Sequence, residues 1–206
     1  MESRKLFIIR HGETDYNKLN LVQGRGIDAP LNETGRIQSE AFYRAYKEYP
    51  FEKIYTSSLK RTGETVIKFI EKGIPSEKLA DLDEISWGDQ EGAEFTPEAV
   101  SAYKETVRRW RLGELHLSVS GGETPVDVME RQKKAIDYII RQPEKEVLIC
   151  MHGRAMRILL SWVLNYDLKH MDDFGHQNLC LYQLTHLGST FRVDRFNDTE
   201  HLVLDS

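Results

Sequence analysis

Long apolar runs and cysteines are both scarce in this chain of 206 residues. The apolar run 6–9 is too short for the hydrophobic segment of a signal peptide, and the run 158–164, broken by Ser161, is far too short to span a bilayer. Two cysteines, Cys150 and Cys180, cannot build a disulfide scaffold. Because both lie in strand-like apolar runs, we expect buried free thiols and a cytoplasmic protein.

Positive charge is not in excess either. The chain has 28 Lys and Arg residues against 33 Asp and Glu residues, a net charge of −5. A mildly acidic protein is a poor general binder of nucleic acid or of an anionic membrane. An anionic ligand would therefore need a local cluster of cations. The length fits one domain spanning 1–206, and no pattern in the residues indicates an oligomeric state.

Short apolar runs alternate with helical patterns along the chain. We expect strands at 6–9, 54–56, 146–151, 179–185 and 190–196, the last two as a hairpin. We expect helices at 34–49, 58–72, 124–141, 154–165 and from Thr96 onward, with Ile37, Ala41, Ala45 and Tyr46 on the inner face of the first. This alternation predicts an α/β domain with a largely parallel sheet. The segment 85–123 contains no clear strand, which indicates an insertion.

One local pattern occurs twice, because two predicted buried strands each end in His-Gly. The first leads into His11 and Gly12, and the second leads into His152 and Gly153. In open parallel sheets the ligand crevice lies beyond the carboxyl ends of the strands, so neighbouring strands would bring both imidazoles to one place. Glycine after each histidine would let backbone amides approach a ligand closely.

Two arginines belong to the same predicted edge of the sheet. Arg61 lies in the first turn of the helix that follows the strand 54–56, and Arg10 precedes His11. A helix N-terminus favours anions, and a guanidinium presents a planar fork to phosphate oxygens. Two histidines and two arginines at one edge predict a pocket for a tetrahedral dianion.

Five segments in order resemble the signature of the histidine phosphatase (phosphoglycerate mutase-like) superfamily. They are Arg10 to Thr14 with Asn17, then Gln23-Gly24 with 30–35, then 57–62, then Leu82-Asp83-Glu84 with Gly88 and Glu91-Gly92, and finally Met151-His152-Gly153. The resemblance implies a three-layer α/β/α sandwich with a mostly parallel mixed sheet. It also implies a small helical insertion, about 85–123, over the C-terminal strand edge, and neither a metal nor a cofactor.

The resemblance also assigns roles. His11 would be the nucleophile and pass through a phosphohistidine, which requires a neutral ring. Glu84 would be the proton donor to the leaving alkoxide, with Asp83, Asp89 and Glu91 as nearby competitors. The other implied groups hold the phosphoryl oxygens, add hydrogen bonds or line the substrate mouth: His152, Arg10 and Arg61; Asn17 and the Gly153 amide; Gln23 and Gly24.

Within this family the sequence leaves two activities open. A phosphatase acting on a small phosphorylated metabolite is favoured, because the insertion is short and 120–124 resembles a helix start of the shorter phosphatases. A cofactor-dependent phosphoglycerate mutase is the alternative, since a cationic lid would retain its product. Three arginines of the insertion could form such a lid: Arg108, Arg109 and Arg111.

Three further hypotheses are weaker. A Cys-x5-Arg phosphatase loop starting at Cys150 would need arginine at 156, where methionine stands. A protein that binds a phosphorylated ligand without turnover should lack a catalytic residue, whereas this chain keeps all five. A metal hydrolase could use a crowded polar loop, but its residues have no recognised ligand spacing: His170, Asp172, Asp173 and His176.

Overall fold

The computed structural model describes residues 3–92, 96–119 and 121–203, so residues 93–95 and Ser120 of the predicted insertion lie outside the described ranges. Within those ranges six strands form one sheet in the order β3-β2-β4-β1-β5-β6. β1 to β4 pair in parallel, and β5 and β6 pair antiparallel. This confirms the mostly parallel mixed sheet and the C-terminal hairpin. The strands are β1 (Arg4–Arg10), β2 (Lys53–Thr56), β3 (Ser76–Lys78), β4 (Glu146–Met151), β5 (Leu181–His186) and β6 (Phe191–Asp198).

Helices cover both faces of the sheet. Successive residues of β1 point to opposite faces: Leu6 and Ile8 pack in the larger core cluster, and Phe7 and Ile9 pack in the other. The larger cluster includes residues of α5, α6 and α7, and the smaller one includes residues of α2 and α4, which confirms three layers. The helices are α1 (Asp15–Lys18), α2 (Glu33–Tyr46), α3 (Lys60–Thr65), α4 (Ile67–Glu71), α5 (Pro97–Arg111), α6 (Pro125–Arg141) and α7 (Gly153–Val163).

Side-chain caps fix where the two long helices α5 and α6 begin. Thr96 Oγ1 accepts a hydrogen bond from the Ala99 amide, and proline follows it at the first helical position. Thr124 and Asp127 form a reciprocal capping box, again with proline at the first position. Both predicted helix starts are confirmed, although only the one at Thr96 was predicted from its cap and proline.

The inner face of α2 was predicted wrongly. Ile37 is 51% exposed, and the buried residues of this helix are Gly35, Ser39 and Phe42. The buried set is spaced by four and three residues, as one helical face requires, but it contains a glycine and a serine, which hydrophobicity does not select. The buried Ser39 hydroxyl has a hydrogen-bond partner, because it donates to the Thr65 carbonyl oxygen at 2.6 Å.

Two other elements differ from the expectation. The predicted helix 58–72 is broken at Val66 (φ −111°, ψ 12°), so that α3 and α4 are separate. β3 was missed, because a three-residue edge strand of Ser, Glu and Lys has no apolar signal. Short 3-10 helices are also present, at Ala80–Leu82, Gly88–Gln90, Leu168–Asp173 and Glu200–Leu202.

Cys150 and Cys180 are both buried free thiols, as expected. Burial raises the pKa of the Cys150 thiol, which disfavours the nucleophilic thiolate that a Cys-x5-Arg phosphatase would need. Among the described residues, no helix has both the length and the apolar character needed to cross a membrane.

Candidate active site

His11 and His152 meet at the carboxyl ends of two neighbouring strands. β1 and β4 are parallel partners with Arg10 opposite Met151, so the next residue of each strand is a histidine at the same edge. The two ring centroids are 5.1 Å apart, and both rings are buried. The expected convergence of the two His-Gly segments is therefore confirmed.

The hydrogen bonding of His11 fixes its tautomer. Nδ1 lies 2.7 Å from the Gly12 carbonyl oxygen, which can only accept, so Nδ1 carries the proton and Nε2 keeps its lone pair. Burial, followed by the charges of Arg61 and Arg10, holds the pKa of His11 well below its usual value of 6.5. The ring is thus a neutral base with Nε2 available for attack.

Arg61 is fully buried and holds His152 in place. Its Nε donates to His152 Nδ1 at 3.1 Å, and its two terminal nitrogens donate to the carbonyls of Ile27 (2.6 Å) and Gly24 (3.3 Å). His152 Nδ1 is therefore an acceptor, and Nε2–H donates to Ser57 Oγ at 2.8 Å. Both ring nitrogens of His152 are engaged, so its contact with a phosphoryl oxygen stays a prediction.

Arg10 lines a cavity of about 410 Å³ that His11, His152 and Arg61 do not line, and two buried donors at its wall have no partner among the described residues. Arg10 Nη1 donates to the His176 carbonyl at 2.6 Å, but Arg10 Nε has no partner among the described residues. Gln23 Oε1 accepts from Thr14 Oγ1 at 2.8 Å, and its Nε2 is likewise unpaired in the described part of the chain. Buried donors without partners are rare and point to an anionic or oxygen-rich ligand.

Glu84 lies on the cavity wall and closes the N-terminus of α7. Its Oε1 accepts from the amides of Ile85 (2.9 Å) and Ala155 (2.8 Å), and its Oε2 accepts from the Arg154 amide (3.0 Å). These three donors fix the position of the carboxyl group at the cavity wall. Asp83 is engaged elsewhere, since it accepts from the amide and hydroxyl of Ser58.

The smaller predicted site residues fall into two groups. Asn17 and Gly153 line the cavity, and a Cβ on Gly153 would lie 2.6 Å from His176 Cδ2. Gly24 does not line this cavity, because its carbonyl faces Arg61 and a Cβ there would collide with the Glu91 carboxylate. The amide of Gly12 was expected to be available to a ligand. It donates instead to Thr65 Oγ1 at 2.9 Å.

Residues of the polar loop that was considered as a metal site form ion pairs. Asp172 accepts from three arginines, and His170 Nδ1 lies 3.9 Å from Asp173. Within the residues that the structure describes, no group of three or more His, Cys, Asp or Glu side chains could hold a metal ion. The insertion arginines are paired at the surface: Arg108 with Glu105, Arg109 with Glu114 and Arg111 with Asp172.

Sequence reasoning missed four residues of this site. Ser57 had a signal, since it lies inside the segment that leads to Arg61, and Arg154 had one too, since it directly follows His-Gly. His176 was considered only as a metal ligand. Asn178 gave no signal, yet its Nδ2 donates to the His11 carbonyl at 3.0 Å and to Asn17 Oδ1 at 3.1 Å.

These features define an α/β protein with two buried histidines and two arginines beyond the carboxyl ends of its strands, next to a cavity that Arg10 lines. The family model of the Histidine phosphatase superfamily (branch 1) matches residues 6–199, so the chain belongs to this superfamily.

Known members resemble the chain along most of its length. It is 26% identical over 204 residues to Phosphoserine phosphatase 1 of Hydrogenobacter thermophilus, covering 96% of this chain and 94% of that protein. It is 30% identical over 200 residues to the 2,3-bisphosphoglycerate-dependent phosphoglycerate mutase of Treponema pallidum, covering 79% of each. The mycobacterial glucosyl-3-phosphoglycerate phosphatase in complex with VO3 superposes with a TM-score of 0.82 at 27% identity, over 95% of this chain and 100% of that one.

Proposed function

We propose that the chain is a phosphomonoesterase that acts on a small phosphorylated metabolite through a phosphohistidine at His11. The observation that carries this proposal is a neutral, buried imidazole with a free Nε2 next to Arg10, whose Nε has no partner among the described residues. Such a constellation fits a tetrahedral anion whose phosphorus faces Nε2. The chain would act as one domain over 1–206.

The reaction divides into two transfers. In the first, the Nε2 lone pair of His11 attacks phosphorus, the P–O ester bond breaks, and the leaving oxygen takes a proton from Glu84. In the second, Glu84 accepts a proton from water, whose oxygen attacks phosphorus as the P–N bond breaks. Inorganic phosphate leaves, and both residues return to their starting states. Arg10, Arg61 and His152 would stabilise the charge on the transferring group.

Three backbone amides hold the Glu84 carboxyl group at the cavity wall, where it would face the leaving oxygen in the first transfer and the attacking water in the second.

We further propose an acid-type, metal-independent enzyme of the cytoplasm. Because burial and two arginines keep the pKa of His11 well below 6.5, the ring remains neutral and nucleophilic in mildly acidic solution. Arg10 and Arg61 supply the positive charge that a metal would otherwise bring, because His11 and His152 are neutral. Two buried free thiols fit a reducing compartment.

The mutase alternative is favoured by the similarity to a phosphoglycerate mutase. Against it stands the pairing of the three insertion arginines with carboxylates, which leaves them turned to the surface instead of the cavity. A ligand-binding protein without turnover remains the third candidate, and the retention of His11, Glu84, His152, Arg10 and Arg61 argues against it.

Trapping the intermediate tests the proposal. We expect rapid quenching of turnover on radiolabelled p-nitrophenyl phosphate, with a strong chelator present, to leave label on His11 as an acid-labile, base-stable adduct. His11→Ala should fall to background activity, whereas His170→Ala, at an exposed histidine, should turn over normally. Label on Cys150 or on an aspartate, or loss of activity in chelator, would contradict the mechanism. Isomerisation of phosphoglycerate that outruns phosphate release would identify a mutase.

A further inference from the structure

A second cation faces the cavity from the first turn of α7. Arg154 is 7% exposed, and its guanidinium carbon lies 6.0 Å from the ring centroid of Trp87 and 5.5 Å from that of Trp110. The two indoles belong to the predicted insertion and lie within cation–π distance of the guanidinium, so they position it on the insertion side of the cavity. The backbone amide of Arg154 donates to the Glu84 carboxylate, and this contact does not involve the Arg154 side chain.

The charge of Arg154 is only partly compensated. Asp172 Oδ1 accepts from Arg154 at 2.6 Å and from Arg157 at 2.7 Å, and Asp172 Oδ2 accepts from Arg111 at 2.9 Å. One carboxylate thus serves three guanidinium groups. Arg111 is 62% exposed, whereas Arg154 and Arg157 are 7% and 16% exposed, so Asp172 balances only one of the two charges that are shielded from water. A buried charge without a carboxylate of its own is costly unless an anion joins it.

The helix α5 adds to the same side of the cavity. Tyr103 hydrogen-bonds the Arg154 guanidinium, and Lys104, next in the chain, lines the cavity without an ion-pair partner in the part of the chain that the structure describes. His176 contributes no charge at neutral pH, because burial and then Arg10 lower its pKa to about 3. The charged cavity wall is therefore Arg10, Lys104 and Arg154 against Glu84.

We propose that Arg154 and Lys104 form a second anion site, so that the substrate is a short phosphate monoester carrying another anionic group, a carboxylate or a second phosphate. This rests on the proposed function, which places the reacting phosphate at Arg10 and His11. With that phosphate bound, Lys104 still has no ion-pair partner in the described part of the chain, and Arg154 shares its one carboxylate with two other arginines. A cavity of about 410 Å³ accommodates a small metabolite that reaches from one cation group to the other.

Matched pairs of substrates test this specificity. One pair is 3-phosphoglycerate and glycerol 3-phosphate, which differ by a carboxylate, and the other is fructose 1,6-bisphosphate and fructose 6-phosphate, which differ by a phosphate. We expect the partner that carries the second anionic group to have the higher kcat/KM in at least one pair. Arg154→Gln should reduce that preference about 10–100-fold, mainly through KM, since a charged hydrogen-bonded contact is lost.

Arg111→Gln is the matched control, because it breaks another contact of the same Asp172 at a side chain that is 62% exposed and does not line the cavity. It should leave the preference unchanged. A higher kcat/KM, in both pairs, for the partner that lacks the second anionic group would overturn the second anion site. Equal losses on both partners in Arg154→Gln, or the same loss of preference in Arg111→Gln, would do so as well.

Binding separates this proposal from the proposed function. Calorimetry of the same four compounds on His11→Ala protein measures the preference without turnover. Tighter binding of the compound with the second anion, lost in His11→Ala/Arg154→Gln, would support the second anion site even if no phosphohistidine is ever trapped. Equal affinities within both pairs would reject it even if hydrolysis is established.

Discussion

At the scale of single residues, Glu84 carries the sharpest test of an assigned role. A proton donor matters in proportion to the basicity of the leaving group, and p-nitrophenolate barely needs one. We expect Glu84→Gln to reduce kcat/KM for alkyl phosphates by about 10²–10⁴-fold and for p-nitrophenyl phosphate much less. Steady-state rates on the two substrates give the ratio.

The ratio matters because Glu84→Gln also disturbs structure. The amide nitrogen of a glutamine would face a backbone N–H where Glu84 now accepts from the Arg154 or Ala155 amide. Such a disturbance lowers kcat/KM for both substrates by the same factor, so it cancels in the ratio. Asp83→Asn, which removes an acceptor of Ser58, is the control and should not depend on the leaving group. Equal losses on both substrates in Glu84→Gln would make Glu84 a structural residue.

At the scale of elements, the close approach of two glycines joins the His11 loop to α2. A Cβ on Gly12 would lie 2.6 Å from the Gly35 carbonyl oxygen, whereas a Cβ on Gly63, inside α3, would meet no atom within 4 Å. We expect Gly12→Ala to destabilise the protein by about 1–3 kcal/mol and to reduce activity, because backbone must shift beside the nucleophile. Gly63→Ala should stabilise by about 0.4–1 kcal/mol. Urea unfolding measures both, and unchanged stability in Gly12→Ala would refute the steric argument.

Elements with a strong local signal could be predicted from the sequence, and those fixed by distant contacts could not. β4 and the capped starts of α5 and α6 follow from apolar runs and from Thr-Pro pairs. The inner face of α2 depends on how closely Gly35 approaches the backbone of Glu13, which no hydrophobic period encodes. The site shows the same division: the His-Gly strand ends predicted the convergence of the histidines, but the sharing of Asp172 by three arginines requires the fold.

At the scale of the whole molecule, buried neutral histidines make stability depend on pH. Burial lowers the pKa of His11, His152 and His176, the last to about 3. Below 6.5 the unfolded chain binds these protons and the folded chain does not, so the free energy of unfolding decreases as pH falls. Each histidine that stays neutral contributes about 2 kcal/mol of this loss between pH 6.5 and 5.

Urea unfolding at several pH values between 7.5 and 5 measures this dependence. His176→Asn should flatten it by the share of one proton, and His170→Asn, at a side chain that is 53% exposed, should leave it as it is. A free energy of unfolding that is constant across this window would mean that these rings are protonated in the folded state. The buffer should contain no saturating inorganic phosphate, because an anion that binds the site also changes the free energy of unfolding.

The central place of β1 has a consequence for the time at which the protein becomes an enzyme during synthesis. β1 pairs only with β4 and β5 among the described strands, and Lys5 meets its partner Glu146 across 141 positions of sequence. The ribosome releases these partners late, and contacts of such separation form slowly. His11 is therefore among the first residues to be translated, yet it acquires its chemical surroundings only after most of the chain has emerged.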